Sequence, residues 1–137
     1  MRSKEVVMFM ERGCPICFRL GQMLFEFCTL RGLRFTEVEV DAGMDSLLGR
    51  YWFFVEQVFG GEKNVPVVLV GNERWYVPRR TTRAGREERG LTKQAIDEAC
   101  ARVVEEIERD LDRRERDYPP THAQMRLGAR TWLPSML

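Results

Sequence analysis

The feature that most constrains this chain lies in its first thirty-odd residues. An apolar run from Val6 to Met10 (VVMFM) passes through Glu11, Arg12 and Gly13 into Cys14-Pro15-Ile16-Cys17. A continuous apolar run bounded by charge suits a strand covered on both faces of a sheet. Beyond it, apolar residues recur at Ile16, Leu20, Leu24, Phe27 and Cys28, close to helical spacing. Pro15 fits the first helical turn, where its missing N–H has no partner to lose, and Gly32 supplies a stop. A doubly buried strand feeding a helix requires a sheet with helices on its two faces, which points the chain to an α/β architecture.

The remainder extends that pattern. RFTEVEVD, residues 34–41, alternates apolar with polar and predicts a second strand. From Asp45 to Phe59, Leu47, Leu48, Tyr51, Trp52, Phe54, Val55 and Val58 give a broad apolar face, predicting a second helix that ends at Gly60-Gly61, with its aromatics as core. Val65 to Val70 reads as another buried strand, and Gly71-Asn72 turns it into a hairpin partner over Arg74 to Val77. Residues 79–90 read as a loop and 91–117 as a long helix with Leu91, Ile96, Cys100, Val103, Ile107 and Leu111 along one side. A β-α-β crossover demands a parallel pair while the hairpin adds antiparallel strands, so the expected sheet is mixed and four-stranded. Residues 1–117 form the expected domain. Residues 118–137 form a tail without periodicity, whose Trp132, Leu133 and Leu137 imply that it docks on something, the domain itself included.

Hydrophobic residues at 44% and charged residues at 31% describe an ordinary water-soluble protein. No apolar span reaches membrane length, and the opening MRSKEVVMFM carries no cleavage-site pattern, so a cytoplasmic location is expected. Net charge is +1. Residues 79–90 hold five Arg against two Glu, and residues 91–117 hold six basic against nine acidic side chains, neither of which is the footprint of a nucleic-acid protein. Arg79, Arg80, Arg83, Arg86 and Arg89 read as a solvated loop, and His122 as an exposed tail residue with no chemical role.

Four cysteines, at 14, 17, 28 and 100, are too few and too uneven for a disulfide scaffold, which leaves redox or metal chemistry. A C-x-x-C pair opening a helix puts Cys14 where unpaired N–H groups and the positive end of the helix dipole favour a thiolate, lowering its pKa toward ~7 or below. Cys17, one turn on and on the same side, is within reach of a mixed disulfide formed at Cys14. The expected roles are nucleophile for Cys14 and resolving thiol for Cys17. Zinc needs four ligands, and only Cys28, Cys100 and His122 remain as soft candidates. Eleven residues of helix separate Cys28 from Cys17, roughly 16 Å, so no mononuclear metal site is expected. Cys28 and Cys100 fall on apolar helix sides and read as packing residues.

VVMFMERGCPICFRL resembles the opening of the glutaredoxin family, with Ile16 where a Tyr is usual. RFTEVEVD and NVPVVLVGN resemble that family's second and third strands, so the likeness spans residues 5–78. It implies a thioredoxin-like three-layer sandwich with an extended C-terminal helix. It also implies a cis-proline at Pro66 packed beside the dithiol, a Val65 backbone that pairs with an extended substrate, and an Arg12 that favours the thiolate. The implied activity is reduction of protein or mixed disulfides without a bound cofactor, recharged by glutathione or by thioredoxin reductase. Glu11 stands where many members carry a basic residue, Asn64 where they carry Thr, and NERWYVPRRTTRAGR where a Gly-Gly and Asp segment binds glutathione. That last stretch is similar to redoxins that draw on thioredoxin reductase. Two other readings stay open: a [2Fe-2S] carrier using Cys14 from two chains and two external thiols, and a binding module with an incidental dithiol.

Overall fold

The computed structural model describes the backbone of residues 5–43, 46–78 and 92–117, with side chains to residue 114. Among the described residues, seven elements run in the order β1 (Glu5–Met10), α1 (Pro15–Arg31), β2 (Arg34–Glu39), α2 (Ser46–Phe59), β3 (Val67–Val70), β4 (Arg74–Tyr76) and α3 (Lys93–Asp117). Four strands form one sheet in the order β2-β1-β3-β4. β1 and β2 are parallel, with Glu5 opposite Arg34 and Met10 opposite Glu39. β1 and β3 are antiparallel, Val6 facing Val70 and Phe9 facing Val67, and β3 runs antiparallel to β4. With its helices packed on both faces, this is an α/β sandwich of thioredoxin-like topology.

The two-residue period of the buried strands decides the layers. Val6, Met8, Val68 and Val70 point to one face, where they pack with Leu20 and Leu24 of α1 and with Cys100, Val103 and Ile107 of α3. Val7, Phe9, Val67 and Leu69 point to the other, against Leu48, Tyr51 and Val55 of α2. Each fully buried aliphatic side chain of this kind contributes about 1.5–3 kcal/mol relative to exposure. A strand carrying side chains to two such cores cannot slip by one residue without exchanging its two faces, which pins β1 at the centre.

The element boundaries depart from the sequence expectations in small, explicable ways. β2 ends at Glu39, not Asp41, because the chain turns there: the Val40 N–H still donates to the Met10 carbonyl at 2.9 Å, and the Ala42 N–H folds back to Glu39 at 3.1 Å. β3 begins at Val67, not Val65, since Pro66 has no N–H for a ladder. β4 stops at Tyr76, not Val77. α2 begins at Ser46. α3 begins at Lys93, capped by the Thr92 hydroxyl, which accepts from the Ala95 N–H at 3.0 Å. At the end of α1, Gly32 takes φ 71°, a left-handed conformation that suits glycine, and the Leu33 N–H reaches the Cys28 carbonyl at 2.8 Å. Gly21 is a glycine inside a helix, a placement that costs about 1 kcal/mol relative to Ala. A Cβ there would lie 2.6 Å from a Glu37 carboxylate oxygen and 3.2 Å from the Met8 methyl, so the glycine marks a close approach between α1 and the sheet.

The Arg-rich stretch 79–90, the residues 118–137 tail with Trp132, Leu133 and Leu137, and His122 lie outside the described residues. Among the described residues, no helix is long and apolar enough to cross a membrane.

Candidate active site

The dithiol site is assembled where β1 ends. Gly13, at φ 78°, lets the chain leave the strand and deliver Cys14 as the N-cap of α1, with extended φ −95° and ψ 111°. Pro15 follows in the first turn, and the Phe18 N–H donates to the Cys14 carbonyl at 3.0 Å as the helix begins. An N-cap side chain normally accepts from an early backbone N–H. Here the acceptor is sulfur: Cys14 Sγ receives the Cys17 N–H at 3.1 Å. Cys14 is half-buried, whereas Cys17 is 1% exposed. The Cys17 thiol is held far above the ordinary thiol range, first by its hydrogen bond with Cys14 and then by burial, against a smaller opposing pull from a backbone hydrogen bond at Glu11. The pair thus combines a half-buried Cys14, whose sulfur accepts a backbone N–H, with a buried Cys17 that holds its proton.

The expected partner loop arrives from β3. Pro66 is fully buried and the Val65-Pro66 peptide is cis, as the resemblance implies. Val65 shares a core cluster with Cys17, and Cys14 packs against that cluster, so the fold brings Cys14, Cys17 and Val65 together from positions some fifty residues apart. The approach of this loop is fixed by Tyr51 of α2. Its hydroxyl donates to the Asn64 carbonyl at 2.7 Å and accepts the Asn64 N–H at 3.2 Å. Its ring stacks on Phe9 of β1 at 5.1 Å, and burial pushes the phenol pKa up. Sequence periodicity assigned Tyr51 to the core, which is correct for its ring. Its second duty was missed, although a buried Tyr hydroxyl must find a polar partner.

Charge around the dithiol is arranged in exposed pairs. Arg12, 86% exposed, extends Nε toward Glu39 of β2 at 3.4 Å. Lys63, just before Asn64, reaches Glu11 at 3.0 Å and Asp41 at 3.4 Å, and the hydrogen bond to Glu11 is the main cause of its raised pKa. Two cations and three carboxylates therefore meet at this end of the sheet. No local sequence signal announces Lys63, because its partners lie 52 and 22 residues away.

Cys28 and Cys100 lie in the core between α1, α3 and the sheet, 1% and 0% exposed. Burial pushes both thiols up to about 11. Among the described residues, no group of three or more His, Cys, Asp and Glu is arranged to hold a metal ion.

No protein-family model and no curated protein matches this chain. Among solved structures, a glutaredoxin from Archaeoglobus fulgidus is similar at 24% identity over 54% of this chain and 74% of that one, with a TM-score of 0.34. The thioredoxin-like topology stated above rests on strand order, strand directions and the two helical layers.

Proposed function

We propose that the protein is a dithiol–disulfide oxidoreductase acting through Cys14 and Cys17. The observation that carries this reading is the half-exposed Cys14 sulfur at the N-cap of α1, accepting the Cys17 N–H at 3.1 Å over a buried Cys17 thiol. In the first step the Cys14 thiolate attacks one sulfur of a substrate disulfide. A Cys14–substrate disulfide forms, the substrate S–S bond breaks, and the departing sulfur leaves as a thiolate that takes a proton from water. In the second step Cys17 gives up its proton to solvent and attacks the Cys14 sulfur. The Cys14–Cys17 disulfide forms and the substrate leaves as a second thiol, so substrate gains two electrons and the protein loses two.

Val65 and Pro66 suit a role in aligning an extended substrate, since they directly precede β3 and Val65 belongs to the core cluster that holds Cys17. Arg12 is a weaker aid to the thiolate than the resemblance implies, because it is solvent-exposed and shared with Glu39. An external thiol, glutathione or the dithiol of thioredoxin reductase, restores the reduced pair. The test is reduction of insulin and of a small mixed disulfide by wild type, Cys14→Ser and Cys17→Ser, driven separately by glutathione with its reductase and by thioredoxin reductase. Activity with one donor that disappears in Cys14→Ser is expected. A folded wild type inert with both donors overturns the reading.

A further inference from the structure

The dithiol has two flanks, because β1 lies between β3 and β2 in the sheet. Val65 and Pro66 occupy the β3 flank. On the β2 flank an open groove starts at Cys14 and runs between α1 and β2, walled by Phe18, Phe25 and Phe35, with Gly21 and Glu37 midway. β2 is an edge strand, so nothing in the sheet covers this side. Phe18 is 70% exposed and Phe25 63% exposed, on a helix that buries Leu20, Leu24 and Cys28 in the core. Large apolar side chains lining one groove and left in water mark a contact surface. The Glu37 carboxylate lies across Gly21, where any other side chain would displace it. Among the described residues Glu37 makes no ion pair, whereas Glu11, Glu39 and Asp41 all do.

Resting on the function proposed above, we infer that this groove holds the polypeptide flanking the substrate cysteine and selects basic, apolar protein disulfides over glutathione. Helix rise sets the register. Gly21 is seven residues and Phe25 eleven residues beyond Cys14, roughly 10 and 16 Å along α1, or about three and five residues of extended peptide. A substrate therefore offers Lys or Arg about three positions, and an apolar side chain about five positions, from its reactive cysteine. Glutathione is too short to reach Phe25 and brings carboxylates toward Glu37, while Arg12 at the mouth of the groove is already shared with Glu39, so the same groove works against it.

The probes are thionitrobenzoate mixed disulfides of four thiols: a peptide with Lys and Leu at those positions, the same peptide with Glu for Lys, glutathione, and mercaptoethanol as a neutral reference. In each, Cys14 attacks the probe sulfur and releases coloured thionitrobenzoate, so no other oxidant or reductant enters. Wild type is expected to react with the Lys peptide about tenfold faster than with the Glu peptide or glutathione, the gap narrowing as salt rises. Glu37→Gln is expected to bring the two peptides within about threefold, and Phe25→Ser to slow the Lys peptide about fivefold relative to mercaptoethanol. Both positions are exposed, and circular dichroism verifies that the variants fold. Equal rates for the two peptides, or a preference unchanged in both variants, overturns the inference while the mercaptoethanol reaction leaves the oxidoreductase reading intact. Failure of the mercaptoethanol probe with folded wild type overturns both. A chain that sediments as a dimer and is dissociated by Phe25→Ser also overturns it, by assigning the groove to a second copy.

Discussion

Two pairs of cysteines, carried by two packed helices, live in different environments. Cys14 and Cys17 stand at the N-terminal end of α1, one sulfur half-open to water and capped by an N–H, the other buried against it. Cys28, in the last turns of α1, and Cys100, in α3, are sealed among Leu24, Val103 and Ile107, and burial alone moves Cys28 up to about 11. Among the described residues, the hydrogen bond of Cys100 is a weak one, to the Ile16 carbonyl at 3.8 Å. The thiolate is the reactive form, so a site that donates hydrogen bonds to sulfur makes a nucleophile and a site that only desolvates it makes a small apolar side chain. Placement at a helix start, as against within a packed helix face, separates the two pairs.

The widest gap between the pairs is expected in turnover. Cys14→Ser lowers disulfide reduction by about a thousandfold or more, since serine supplies no thiolate, while Cys28→Ala and Cys100→Ala stay within about threefold of wild type. Steady-state rates on a mixed disulfide decide this, and comparable losses in all three variants would erase the distinction. Stability reverses the ranking. Cys28→Ser and Cys100→Ser bury a hydroxyl in an apolar core and lose about 1–3 kcal/mol in urea unfolding, whereas Cys14→Ser changes stability by about 0.5 kcal/mol at most.

Tyr51→Phe tests the support behind the reactive pair. It keeps the ring stacked on Phe9 and removes both bonds to Asn64, a loss of about 1–2 kcal/mol, and it lowers turnover by loosening the loop that carries Val65. Unchanged turnover in a destabilised variant would reduce Tyr51 to a packing residue. The pH dependence sharpens the core side. Cys28 and Cys100 shift from 9.0 up to about 11, so they hold their protons longer folded than unfolded. Their stabilisation is whole below pH 9.0 and is lost as pH rises through about 11, a decline that the double Cys28→Ala, Cys100→Ala variant should flatten. A small effect is expected at Arg31, which joins α1 to α3 through Glu108 at 3.4 Å and Asp112 at 3.1 Å. Arg31→Ala costs about 0.5–1 kcal/mol, read by thermal unfolding in low and high salt.

Much of this was legible in residue order. VVMFM running into a dithiol and a helical period implies strand, site and helix in succession, and the alternation of RFTEVEVD implies the edge strand. The sorting of the cysteines followed from the same periods, because Cys28 and Cys100 fall on apolar helix sides while Cys14 precedes Pro15 at a helix start. Element ends were less legible. Pro66 shortened β3 through its missing N–H, and Thr92 set the start of α3 through its hydroxyl, both within two residues of the expected positions.

The sequence by itself therefore determined the elements, their inward faces and the placing of Cys14 and Cys17 at a helix start, because each depends on spacings of two, three or four residues. Tertiary structure alone decided that β3 enters beside β1, so that Val65 joins the core cluster of Cys17, that Tyr51 clasps Asn64, and that Lys63 spans Glu11 and Asp41. It also decided that Gly21 leaves room for Glu37 in a groove leading from Cys14. Those contacts join residues far apart in the chain, and a hydrophobic period states which face of an element turns inward without stating which polar group will be waiting there.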